Sequence, residues 1–147
     1  MSSSDIVALR EATGAGVVEC KKALEEAGGD VEKAKQLIWK RGYAKAASKA
    51  QRKTGAGMIE AYVHSDRIGV IVEVRCETDF VAKTPQFREL AHDIALQIAS
   101  MDPESVEALM VQPFIKDESL AVKDIVARAV AVIGENIRVE RFCRYEL

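Results

Sequence analysis

Apolar positions along the N-terminal third of the chain recur at helical spacing, and beyond it they alternate. Ile6 and Leu9 share one face of a first helix that Ser4 is placed to cap. Thr13-Gly14-Ala15-Gly16 ends it, because two glycines so close together favour a tight turn. Val17, Cys20, Leu24 and Ala27 form the buried stripe of a second helix, with Val18 beside the stripe and left outside. Gly28-Gly29 closes that helix, and Asp30 caps a third carrying Val31, Ala34, Leu37 and Ile38. Three helices of about ten residues with glycine corners predict a compact bundle like the ubiquitin-associated module over residues 1–42.

From Met58 to His64 and from Gly69 to Glu77 the period is that of strands. Val70, Val72, Val74 and Cys76 share one face of the second run, while Glu73, Arg75 and Glu77 share the other. Ser65-Asp66-Arg67 makes the turn between them. Thr84-Pro85 opens an amphipathic helix with Phe87, Leu90, Ala91, Ile94 and Ile98 on one face. Another helix spans about 120–133, burying Val122, Ile125, Val126, Ala129 and Ile133 until Gly134 stops it. Ile137 to Glu146 reads as a third strand. The predicted fold is α+β: the helical bundle, then, over residues 55–147, a three-stranded antiparallel sheet with helices packed on one face. In that last strand, alternation puts Cys143 with Ile137 and Val139 or near an exposed edge, as a buried thiol or as a contact across a dimer.

Charge adds a linker. Lys40, Arg41, Lys45, Lys49, Arg52 and Lys53 fall in a stretch with no acidic residue, interleaved with Ala44, Ala46, Ala47 and Ala50. Residues 43–54 therefore read as a basic connector, helical or partly frayed, with almost nothing to bury. Over all 147 residues the net charge is only −2, which argues against a general polyanion binder. Three widely spaced cysteines form neither a disulfide framework nor a zinc site and point to a reducing compartment. The first residues lack the basic start and apolar run of a signal peptide, and no apolar stretch approaches the roughly 18 residues of a membrane helix. A cytoplasmic protein is expected.

Catalytic chemistry finds no constellation. The two histidines are His64 and His92. Pairing His64 with Gly69 puts Cys76 opposite Gly57, roughly 20 Å away from His64 and outside proton-transfer reach. Thr-Gly-Ala-Gly occurs at residues 13–16 and 54–57, but neither copy continues into the Lys-Ser/Thr of a phosphate loop. No catalytic residue, metal site, cofactor or nucleotide-binding motif is predicted, and the chain reads as a non-enzyme.

One segment stands apart. Glu77-Thr78-Asp79-Phe80-Val81 joins the second strand to the Pro85 helix, which puts its side chains at the rim of the sheet. Either Thr78 or Asp79 caps the following turn with Phe80 packed beneath the helix, or the aromatic and the carboxylate are presented to a partner. Leu9-Arg10-Glu11-Ala12-Thr13-Gly14-Ala15-Gly16 with Cys20-Lys21-Lys22-Ala23-Leu24, then Glu77-Thr78-Asp79-Phe80-Val81-Ala82, Ile133-Gly134-Glu135-Asn136-Ile137 and Phe142-Cys143-Arg144-Tyr145-Glu146-Leu147, together resemble the elongation factor Ts family over nearly the whole chain. The likeness is to its short bacterial or organellar-type forms. It implies a guanine-nucleotide exchange factor that binds elongation factor Tu·GDP and promotes GDP release by disturbing the magnesium and phosphate site. On that resemblance Thr78, Asp79, Phe80 and Val81 are the exchange motif, with Phe80 entering an apolar pocket of the GTPase domain. Arg10, Val17 and Val18 match contact positions of the N-terminal module.

The resemblance also marks what is missing. A long helical insert that family members carry before the Gln-Pro-Phe segment is absent, and Ser100-Met101-Asp102-Pro103 leads almost directly to Gln112-Pro113-Phe114. Long relatives hold two copies of the core, whereas short ones pair as homodimers, and only one Thr-Asp-Phe-Val copy is present here. Apart from the resemblance, the alternative is a non-enzymatic peptide- or RNA-binding module using the helical bundle and the basic linker.

Overall fold

The computed structural model describes residues 2–147. The first helix, α1 (Ser3–Thr13), is capped by Ser2 rather than Ser4. Ser2 has an acidic residue three positions on, and the pair closes a reciprocal box: Ser2 Oγ accepts from the Asp5 amide and the Asp5 carboxylate accepts from the Ser2 amide, both at 3.2 Å. Ser4 has Val7 at that offset and sits inside the helix. Gly14 ends α1 in the left-handed region at φ 72°, its amide donating to Arg10 O at 2.7 Å.

Helix α2 (Val17–Glu26) buries Cys20, Ala23 and Leu24, and α3 (Val31–Lys49) starts at the Asp30 cap. These helices close a small core of Leu9, Cys20, Ala23, Leu24, Ala34 and Ile38. Val17 does not join the buried stripe as expected. It is the first residue of its helix, one turn ahead of Cys20, and stays 49% exposed.

Helix α3 runs 19 residues, well past the predicted ten or so. Its alanines and lysines are good helix formers, and they carry the helix through most of the expected connector. Nor is this stretch idle, because Ala46 packs against the main core. Trp39, Gly42 and Tyr43 meet helix α7 (Val122–Ile133): Arg128 lies 4.1 Å over the Trp39 ring, and its Nε donates to Tyr43 Oη at 3.0 Å. A Cβ added at Gly42 would stand 3.0 Å from that of Ala131, so glycine sets how closely the helices approach.

The sheet is antiparallel in the order β1 (Ala56–His64), β2 (Ile68–Cys76), β5 (Arg138–Glu146). Ser65, Asp66 and Arg67 make the hairpin turn as predicted, Ser65 and Asp66 at positive φ of 51° and 58°, but the strands pair one residue off the His64–Gly69 register. His64 therefore pairs with Ile68 and Cys76 with Ala56, at opposite ends of the hairpin. Helices α5 (Pro85–Met101) and α7 cover one face of the sheet. Phe87, Ile94 and Ile98 of α5, Val122 of α7 and Val72, Val74 and Cys76 of β2 are fully buried or nearly so in one core, with α5 lying on β1 and β2 and α7 packed against α5 and α3.

Strand β5 contains a bulge: Val139 pairs with Val74 but Arg141 pairs with Glu73, leaving Glu140 as the extra residue. The alternation resets there. Ile137 and Val139 are buried, but beyond the bulge Phe142 and Arg144 turn inward and Cys143 turns out. The buried placement for Cys143 is thereby overturned.

The shortened middle holds three elements the hydrophobic pattern did not show: α6 (Val106–Val111) and a small hairpin of β3 (Pro113–Phe114) with β4 (Asp117–Ala121). Fully buried Gln97 fixes the hairpin, donating to Pro113 O at 3.0 Å and accepting from the Ile115 amide at 2.9 Å. No helix among the described residues is long and apolar enough to cross a membrane.

Candidate functional site

Strand β2 ends at Cys76, and after two intervening residues the chain makes the four-residue helix α4 (Asp79–Ala82). Thr78 is its cap, with Oγ1 accepting from the Val81 amide at 3.3 Å. Asp79 in the first turn complements the partial positive charge of the helix start. Val81 and Ala82 are 7% and 6% exposed and hold the turn to the core, while Phe80 stands 81% exposed. One turn thus points two small apolar side chains inward and one phenyl ring into solvent. Of the two readings of this segment, Thr78 does cap, but Phe80 does not pack beneath the helix.

Val81, expected within the partner-binding motif, is buried in the free chain and anchors the turn to the core. Asp79 borders an open hollow of about 340 Å³ at the end of the β1–β2 hairpin, together with Gly57, Met58, Glu73 and Arg75. Glu73 accepts from Arg75 at 2.7 Å and from Arg141 at 3.1 Å, and these hydrogen bonds lower its carboxyl pKa from the ordinary value.

The turn is held from outside as well. Glu135, one residue past the left-handed Gly134 that stops α7, accepts from the amides of Glu77 and Thr78 at 3.1 and 3.0 Å and from the Thr78 hydroxyl at 2.8 Å. Glu77 returns the contact by accepting from the Asn136 amide at 2.7 Å. Asn136 is 4% exposed, and its side-chain amide donates to Ala50 O at 3.3 Å and Arg52 O at 2.9 Å, just beyond the end of α3. Beneath the turn the Cys76 thiol donates to Thr78 O at 3.2 Å; burial raises its pKa, and the negative charge of Glu135 adds to the rise. In the sequence, Gly134 marks the stop of a helix and Glu135-Asn136 carry no assigned role beyond the family resemblance. Two polar residues directly after a helix-stopping glycine were the available signal, but nothing local said they face residues 77 and 78.

A second surface lies on the helical bundle. Val17 and Val18 are 49% and 68% exposed and line a hollow of about 540 Å³ with Lys22, Arg41 and Lys45. Arg10 is exposed on α1 and borders another hollow with Val7 and Gly14. The basic stretch is largely committed within the chain: Arg41 pairs with Glu26, Lys45 with Glu19 at 3.6 Å, and Arg52 with Glu77 at 3.7 Å, while Lys49 donates to Gly134 O at 3.1 Å.

Comparison with known proteins meets this geometry. The family profile described as Elongation factor TS matches residues 77–147, from the start of the exposed turn through β5. The curated elongation factor Ts of Coprothermobacter proteolyticus is 40% identical over 193 aligned positions, covering 100% of this chain and 98% of that protein. Those of Carboxydothermus hydrogenoformans and Moorella thermoacetica are 40% and 39% identical, covering 100% of this chain and 89% and 95% of theirs. The aligned length exceeds the 147 residues of this chain, so these relatives carry residues that it lacks. With this identity across its whole length, and with the profile match covering the turn that bears Phe80, the chain belongs to the elongation factor Ts family of translation elongation factors.

Proposed function

We propose that this chain is a guanine-nucleotide exchange factor that binds elongation factor Tu·GDP through its GTPase domain and speeds GDP release. The observation that carries the reading is Phe80, a phenyl ring 81% exposed on a turn held by the core and by Glu135. Leaving such a ring in water forgoes about 2 kcal/mol of burial, which a partner's apolar pocket recovers. Asp79 beside it competes for donors or metal at the displaced loop. Thr78 sets the turn, and Arg10, Val17 and Val18 grip a second face of the same domain.

The chemistry is linkage rather than bond making. A protein that binds the nucleotide-free GTPase more tightly than the loaded form weakens nucleotide by the same factor. Nanomolar nucleotide affinity corresponds to about 12 kcal/mol, so a loss of several kcal/mol accelerates release by orders of magnitude. Disturbing Mg²⁺ is an effective route, because the ion bridges and neutralises phosphate charge. The chain itself needs no cofactor, membrane or bound nucleotide for this, and it acts where translation occurs, in the cytoplasm.

A homodimer is the second part of the proposal. It is supported by the uncovered face of the sheet, where Ile59, Val63, Ile71 and Tyr145 are 63%, 64%, 55% and 77% exposed and Cys143 pairs in register with Ile71. A contiguous apolar face of this kind on a soluble domain marks an interaction surface.

The test is direct. Elongation factor Tu carrying fluorescent GDP is mixed with excess unlabelled nucleotide, with and without the chain; release accelerates with it, and an unchanged rate contradicts the reading.

A further inference from the structure

A helix of four residues has no stability of its own, since nucleation fixes several residues for a single hydrogen bond. The direction in which Phe80 points must therefore be imposed by its surroundings. Val81 and Ala82 fix the inner side of the turn. Its entry is fixed by one carboxylate, Glu135, through the three hydrogen bonds to Glu77 and Thr78 at 2.8–3.1 Å. Charge-assisted bonds of this length are the stronger class. The Thr78 hydroxyl spends its only proton on Glu135 and accepts from the Val81 amide, so a single rotamer satisfies both sides. Without the carboxylate, that hydroxyl is free to turn and the cap is lost with it.

We infer that Glu135 is a positioning residue for the Asp79–Phe80 turn, and that Glu77 and Asn136 complete a clasp joining that turn to the end of α3. Glu77 and Glu135 each accept from a backbone amide on the other's strand of the corner, and Asn136 carries the linkage on to Ala50 and Arg52. A load on the Phe80 ring is then borne by the helix that also packs in the N-terminal bundle. The inference rests on the exchange reading above for its purpose, but not for its geometry.

The experiment has two arms, amide hydrogen exchange of the free chain by NMR and GDP release from saturating elongation factor Tu·GDP. In Glu135→Ala, the Glu77 and Thr78 amides exchange at least about tenfold faster, while those of α5 and central β2 keep their protection. The maximal release rate of that variant falls about tenfold, with the half-saturating concentration within about twofold of the parent. Glu135→Gln restores most of both, because its carbonyl accepts from the amides and its NH₂ donates to Thr78 Oγ1. Phe80→Ala loses release with amide protection intact, which separates presenting the ring from being the ring. Unchanged exchange at residues 77 and 78 in Glu135→Ala overturns the inference, as does loss of protection throughout the core that Gln fails to repair. If the unaltered chain releases no GDP, the functional reading fails, and the exchange arm alone decides whether Glu135 holds the turn.

Discussion

A phenyl ring kept in water gives up about 2 kcal/mol of burial, so a protein tolerates one where something else is gained. Phe80 is that case; its neighbours Val81 and Ala82 show that the same turn buries apolar side chains where it is directed to. The cysteines make a parallel contrast. Cys20 and Cys76 are fully buried, and burial raises both thiols from the ordinary value, which lowers their thiolate fraction at neutral pH. Cys143 is exposed. In the monomer, a thiol–disulfide reagent at pH 7.5 should label one cysteine per chain quickly, at residue 143, and the other two only in denaturant, with their reactivity rising as pH increases. Rapid labelling of all three in the folded protein would contradict the burial. Period-two reasoning placed Cys76 correctly because β2 is regular, and left Cys143 between burial and an exposed edge; one extra residue at Glu140 reverses the faces beyond it and turns Cys143 out. A bulge leaves little mark in a strand of mixed charge. Val17 was misplaced for a related reason, since a helical stripe does not say where the helix begins.

Among the elements, α3 does most to join the molecule. It packs in the small core through Ala34 and Ile38, crosses α7 at Gly42, and presents Ala46 to the main core. Its continuity through the basic stretch was legible in the alanines, but its partner was not, because Arg128 lies far in sequence from Trp39 and Tyr43. Two effects compete at Gly42. Alanine there gains about 1 kcal/mol of helix propensity but brings its Cβ to 3.0 Å from Ala131, so Gly42→Ala should be close to neutral. Gly42→Leu adds three more carbons to the same gap and should destabilise by about 1–3 kcal/mol in urea denaturation. An unchanged midpoint in the leucine variant would mean that α3 and α7 are not held at this distance.

At the scale of the whole molecule, the layers cover one face of the sheet and leave the other bare. Ile59, Val63, Ile71 and Tyr145 there amount to an apolar surface that a second copy of the chain would bury. Ile71→Arg, at the centre of that face, should shift sedimentation from dimer to monomer while leaving thermal unfolding of the monomer within about 1 kcal/mol, the range of most surface changes. A parent chain that sediments as a monomer at tens of micromolar would remove the dimer. We also propose that residues 1–42 and 55–147 act as two units bridged by the basic segment 43–54, with most of that bridge rigid because α3 runs to Lys49. The three strands of the sheet and the two long core helices were readable because each keeps a clean period over most of its length. Helix α6 and the β3–β4 hairpin were not, because elements of six, two and five residues are too short to show one.

The central claim is that Phe80 opens the nucleotide site of a partner. Stopped-flow release of fluorescent GDP from elongation factor Tu, with the parent chain and Phe80→Ala at equal saturating concentrations, tests it most directly. The account predicts release slowed about tenfold to a hundredfold by the substitution, with the fold retained, as expected for truncating a buried aromatic anchor. Release by Phe80→Ala at the rate of the parent would contradict it.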